Sequence, residues 1–168
     1  MKKLLFIFAF FLACSATAQD RSMNEVYSMM VFNFTKYVQW PGHSGSGEFV
    51  IGVMGDDDVF KTLNGWYGGK SRGSLTYVIK KFNSAAEITN CDVLFVANSK
   101  SSEFENAKSK VEGKNTLLIT DKNGLGSKGS AINFKTVNKK LKFELNPKAF
   151  ESANLKVSNS LSAMAILI

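Results

Sequence analysis

Short apolar runs alternate with helical segments along most of this chain, and that rhythm restricts the fold more than any other feature. Phe49, Val50, Ile51 and Val53 fall within the first run, residues 48–54, which Gly55 closes. Residues 74–82, 91–97 and 116–120 form three more. Between them Asp56-Asp57-Asp58 opens a helix through Leu63, with acids where the positive end of the helix dipole favours them. Residues 101–111 read as a second crossover helix with a polar face. Near-continuous apolar runs suit strands buried on both faces, and the helices supply the crossovers that parallel strands need. After Gly124, Gly126 and Gly129 the rhythm changes. Residues 131–136 and 139–145 are two strands separated by Val137-Asn138, which is hairpin spacing. The expected fold class is α/β: a single-domain three-layer sandwich with a mostly parallel open sheet and an antiparallel C-terminal hairpin.

Helices flank this core. In residues 23–38, Val26, Tyr27, Met30, Val31, Phe34, Tyr37 and Val38 recur at three- and four-residue spacing, and Pro41 stops the helix after Trp40. Asn146-Pro147 starts a helical turn, with proline at a first-turn position. A last helix is expected over residues 158–168, with Leu161, Met164, Ala165 and Ile168 in one stripe.

Residues 1–18 read as a signal peptide ahead of an α/β domain at 19–168. Lys2 and Lys3 make a positive start, and residues 4–13 are apolar for about half the roughly 20 residues a spanning helix needs. Ala16-Thr17-Ala18 then offers the small residues at which signal peptidase cuts. Phe11-Leu12-Ala13-Cys14 partly resembles a lipobox that would lipidate Cys14. Phe11 stands where leucine is usual, so the cleavable signal is favoured; export follows either way. Loss of 18 of the 168 residues, Lys2 and Lys3 among them, leaves 150 residues and lowers the formal charge from +7 to +5. That length suits one domain. Of two cysteines only Cys91 survives, so no internal disulfide is expected, and the single histidine, His43, leaves too few ligands for a Cys/His metal cluster.

Several motifs invite chemistry and do not carry it. Gly124-Leu125-Gly126-Ser127-Lys128-Gly129 matches the dinucleotide fingerprint literally, yet it runs into a strand where that motif must open a helix. Gly69-Lys70-Ser71 resembles the end of a phosphate loop, but Asn64 occupies the first glycine position and the loop joins helix to strand, the reverse order. Asp56-Asp57-Asp58 cannot converge on a cation from consecutive helical positions, and His43 lies in a loop with no orienting partner. No Gly-x-Ser-x-Gly elbow exists. No catalytic, cofactor-binding or metal residue is assigned, and no enzyme is expected. Along residues 139–145, Lys140, Lys142 and Glu144 point one way and Leu141, Phe143 and Leu145 the other, the pattern of a solvated edge strand. An exported protein is not expected to bind nucleic acid; an acidic partner or an anionic membrane surface stays open.

The first helix is apolar nearly all round: Tyr27, Met29, Met30, Val31, Phe32, Phe34, Tyr37 and Trp40 exceed one buried stripe. Either it is buried between layers, or the surplus is a contact face for a second copy or a sensor. For the contact face the expected residues are Tyr27, Met30, Phe34, Tyr37 and Trp40.

An ordered set of segments then becomes recognisable. It comprises Phe34-Thr35-Lys36-Tyr37-Val38-Gln39-Trp40-Pro41, Phe49-Val50-Ile51-Gly52-Val53-Met54-Gly55 and Cys91-Asp92-Val93-Leu94-Phe95-Val96. Leu117-Leu118-Ile119-Thr120-Asp121, Gly129-Ser130-Ala131-Ile132-Asn133-Phe134, Phe143-Glu144-Leu145-Asn146 and Leu155-Lys156-Val157-Ser158-Asn159-Ser160-Leu161 follow. Together they resemble the YfiR-like family of bacterial periplasmic proteins, over roughly residues 24–168. The resemblance implies a non-enzymatic repressor that binds the periplasmic region of an inner-membrane sensor protein, a diguanylate cyclase or a sensor kinase. It thereby implies restraint of cyclic-di-GMP signalling, sequestration by an outer-membrane lipoprotein, and a homodimer. It also implies disulfide-based redox sensing, which a lone Cys91 in a buried strand cannot perform within one chain. From the fold alone, the alternative is a periplasmic small-ligand binder with a cleft at the sheet's strand ends.

Overall fold

The computed structural model describes residues 21–41 and 47–168. The expected signal peptide, Cys14 and His43 lie outside the described residues.

Helix α1, Met23–Tyr37, begins at a capping box. The Ser22 hydroxyl accepts from the Glu25 N–H, and the Glu25 carboxylate accepts from the Ser22 N–H. The helix ends three residues before Trp40, because Val38 turns extended and β1, Val38–Gln39, pairs antiparallel with β9, Lys156–Val157. The main sheet contains β2 (Gly47–Met54), β3 (Ser71–Arg72), β4 (Leu75–Phe82), β5 (Val93–Val96), β6 (Leu117–Thr120), β7 (Ile132–Val137), β8 (Lys140–Leu145) and β10 (Ile166–Leu167). Their order is β10-β8-β7-β6-β5-β2-β4-β3. From β4 across to β7 every pairing is parallel, and β7–β8 is the antiparallel hairpin. The chain leaves β2 for β4 on one side and returns to β5 on the other, the strand-order reversal of a doubly wound α/β sheet.

Alternate side chains of the inner strands enter two cores. Phe49, Ile51, Val53, Val93 and Phe95 meet α1 and α2 (Asp57–Tyr67), whereas Val50, Met54, Leu94 and Val96 meet α3 (Phe104–Val111). This is why the sequence shows unbroken apolar runs rather than alternation. Asp56 caps α2 through hydrogen bonds from the Asp58 and Val59 N–H groups. Gly52 sits under the Phe82 ring, which would lie 2.6 Å from an added Cβ, so only glycine lets that ring close over β2.

Three expectations change in detail. The hairpin turn falls on Asn138 and Lys139, both at positive φ, one residue later than expected, because a two-residue primed turn needs left-handed backbone at both positions. The last helix, α5, covers only Asn159–Met164, and Ile166–Leu167 leave it to pair parallel with Glu144 and Leu145. The expected buried stripe therefore reduces to Leu161: Met164 and Ile168 stand in solvent. For the same reason β8 is a bare edge only over its first half, and Glu144, expected on a solvated face, is buried. Helix α4, Pro147–Ser152, starts where expected, with Asn146 as its cap.

Candidate partner-binding surface

The aromatic surplus of α1 is largely absorbed by the sheet beneath it. The Tyr27 ring stacks on Phe134 with centroids 4.8 Å apart, and Phe34 sits between Phe134 and Phe143 at 5.8 and 5.1 Å. Trp40 meets Phe49 edge to face at 4.9 Å, and its Nε1–H donates to the Asp92 carbonyl at 3.1 Å. The Arg72 guanidinium lies over both the Trp40 and Phe49 rings and donates to the Thr35 carbonyl. Phe34 and Trp40 are consequently buried, Tyr27 and Met30 are half-buried, and Tyr37 alone of the five is exposed. The exposure expected of Phe34 and Trp40 is corrected: Phe134, Phe143 and Phe49 supply the aromatic floor they fill.

The larger exposed apolar feature is one that periodicity assigned to the interior. Met164, Ile166, Leu167 and Ile168 are 54%, 37%, 58% and 43% exposed at the rim of the sheet. Their segment adjoins the end of α1, since the Ser158 N–H donates to the Tyr37 carbonyl and β9 pairs with β1. The four consecutive residues Ala165-Ile166-Leu167-Ile168 were the available signal, read there as helix rather than as a rim strand.

Beside that rim lies a buried polar relay. Thr120 Oγ1 donates to Asn133 Oδ1 at 2.7 Å, Asn133 Nδ2 donates to Glu144 Oε2 at 2.8 Å, and Lys135 Nζ reaches Glu144 Oε1 at 2.7 Å. Burial would raise the Glu144 carboxyl, but the bonds from Lys135 and Asn133 and the Lys135 charge outweigh it and hold the group below its ordinary value. Gly126, the middle glycine of the fingerprint-like motif, packs against this carboxylate and Ile168; an added Cβ would lie 2.8 and 2.7 Å from them. The motif leads into β7 as a turn, as expected.

At the strand-end crevice, where a doubly wound sheet usually takes its ligand, a pocket of about 300 Å³ remains between Gly55, Asp57, Lys81, Asn83, Ser99 and Lys100. At Gly55, after β2, the room for a side chain is occupied by Ser99 and Lys100 from the loop after β5, and the Ser99 hydroxyl donates to the Gly55 carbonyl. Beside it, burial is the main cause raising Asp121 to about 6, against backbone hydrogen bonds and with the Asp56 charge assisting. One of its carboxylate oxygens is buried with no hydrogen-bond partner among the described residues. The Tyr27 hydroxyl is likewise raised, by burial first and then by Asp121 and Asp56. Cys91 is buried and forms no disulfide among the described residues, its thiol pushed up to about 12 chiefly by desolvation, so little thiolate exists near neutral pH. Among the described residues no group of His, Cys, Asp and Glu is placed to hold a metal ion.

Strand order and layers define a doubly wound α/β domain with an exposed apolar rim. The chain belongs to the YfiR/HmsC-like family, whose model matches residues 24–166. No curated protein matches it. Among solved structures it resembles an ABC domain in complex with L-Trp from Streptococcus pneumoniae, with a TM-score of 0.55 and 12% identity over 86% of this chain. The chain spans 59% of that structure's length, and at this identity the likeness is one of fold alone.

Proposed function

We propose that this chain is an exported, non-enzymatic regulator, freed of residues 1–18, that binds the periplasmic sensor region of an inner-membrane signalling protein and represses its output. The family match over residues 24–166 carries the reading, because YfiR-like proteins are periplasmic regulators of diguanylate cyclase signalling. The target is a diguanylate cyclase or a sensor kinase. An outer-membrane lipoprotein and a second copy of the chain are the competing partners the family implies. Tyr37, with the outer edges of Tyr27 and Met30 and the apolar rim at Met164, Ile166 and Leu167, is the contact surface. Phe34 and Trp40 support it from behind. Binding acts by favouring one of two conformations of the target, so the surface must fit one of them better.

A pull-down of the protein against the periplasmic segment of a neighbouring membrane sensor tests this, together with the cellular cyclic-di-GMP level on deletion. Capture and a raised level are expected; no capture with unchanged output on deletion overturns the reading. Cys91→Ser is expected to regulate as the parent does under oxidant, and a lost redox response would return Cys91 to the mechanism. A ligand at the strand ends is the alternative reading; Ser99 and Lys100 narrow that crevice at Gly55 and line the pocket of about 300 Å³ that it keeps.

A further inference from the structure

At the end of the sheet where the two cores meet, a pocket of about 340 Å³ opens between the end of α3, the turn into β7 and helix α4. Its walls include Val111, Leu118 and Ala131, all buried members of the chain's interior. Its mouth is cationic: Lys108, Lys128 and Lys148 line it, against a single carboxylate from Glu112.

The three lysines are not equivalent. Lys108 is engaged, with Nζ donating to the Lys128 carbonyl at 3.0 Å and pairing with Glu105 at 2.9 Å. Lys128 and Lys148 carry no ion pair or side-chain hydrogen bond among the described residues, so their charges are available. Gly129 keeps this corner open: at φ 111°, an added Cβ would come 3.3 Å from the Lys108 side chain.

Of the neutral polar side chains in the lining, Thr116, Asn146 and Ser152 are already committed, and Ser127 is the one left over among the described residues. Thr116 Oγ1 donates to the Cys91 carbonyl. Asn146 donates to the Gly126 carbonyl and accepts from the Ala149 N–H, and Ser152 Oγ donates to the Lys148 carbonyl. A hydroxyl-rich sugar would find few partners here, and a cation would meet repulsion. The volume, near the lower end of the roughly 300–1,000 Å³ of ligand pockets, suits a body of about one ring.

We propose that this pocket binds a small organic anion, its carboxylate or phosphate held by Lys128 and Lys148 and its apolar body resting on Val111, Leu118 and Ala131. Asn146 of the lining follows Leu145, the pairing partner of the rim residue Leu167, so the pocket neighbours the contact surface, but its chemistry does not depend on the regulatory reading.

Phenylacetate, its neutral isostere phenylacetamide and inorganic phosphate are the probes, titrated into the purified protein by calorimetry and by amide shifts in two-dimensional NMR. Phenylacetate is expected to saturate below about 10 mM and to move the Gly113, Gly129 and Ala131 amides, with phenylacetamide at least about tenfold weaker. The double variant Lys128→Gln/Lys148→Gln is expected to lose at least about tenfold in affinity with its thermal midpoint unchanged. Ala153, at the end of α4, also lines the pocket, and Ala153→Leu, which fills it from that side, should weaken phenylacetate and leave phosphate alone. Equal binding of acid and amide, unchanged affinity in the double variant, or no saturation by any probe would each overturn the proposal. Phosphate binding as tightly as phenylacetate would overturn the apolar half of it. Capture of a membrane partner by the double variant, measured in parallel, keeps failure of this site separate from failure of the regulatory reading.

Discussion

Along α1 the aromatic side chains sink into the sheet, whereas at the other end of the described chain Met164, Ile166, Leu167 and Ile168 stand in water. The two segments are comparably apolar. What differs is the surface each one meets. Helix α1 crosses the middle of the sheet, where Phe49, Phe95, Phe134 and Phe143 offer a floor for large rings. The C-terminal segment lies outside β8, at the rim, with no further strand beyond it among the described residues. Apolar character therefore decides that a side chain seeks cover, and its place in the sheet order decides whether cover exists.

The sharpest way to break this contrast is to truncate one residue in each segment. Phe34→Ala is expected to cost about 3–5 kcal/mol, because it empties a site enclosed by Phe134 and Phe143. A denaturant melt showing under about 1 kcal/mol would mean that α1 is held elsewhere. Trp40→Phe keeps most of the ring but loses the bond to the Asp92 carbonyl, for an expected cost of about 1–2 kcal/mol in the same measurement.

Asp121, beneath the start of α1, acts in the other sense. Its folded carboxyl holds a proton up to about pH 6, well above the unfolded value of 3.8. Its contribution is most favourable below that unfolded value and declines as pH rises through about 6. Asp121→Asn should therefore stabilise the protein at pH 7 by about 1–2 kcal/mol, allowing for screening at a partly exposed group, and flatten the melting profile between pH 4 and 6. A steeper profile in the variant would contradict this. Leu167→Ser carries the smallest expected effect, within about 0.5 kcal/mol, with a clear loss of capture by the membrane partner. A cost near that of Phe34→Ala would show the rim to be covered.

Much of the fold was legible because its causes are local. The acidic start of α2 at Asp56, the apolar run of β2 and the Asn146-Pro147 start of α4 each announce themselves within a few residues. The two-residue strands β1, β9 and β10 do not, since each exists only because a segment distant in sequence lies beside it. The contact surface was half legible for the same reason. Composition revealed the aromatic excess of α1, but Phe134 and Phe143, which consume Phe34, are a hundred positions away. The rim residues carried a helical spacing that the bare side of β8 overrode by offering backbone partners at Glu144 and Leu145.

The pairing of Val38 with Val157 bears on the order in which the chain assembles. Joining two points so far apart along the polypeptide carries a loop-closure penalty that is repaid only once the intervening strands have condensed. The rung between β1 and β9 is thus expected to close after the strands that lie between them in sequence. A chain stopped at residue 150 would hold every strand of the main sheet except β10 and still lack the latch between β1 and β9.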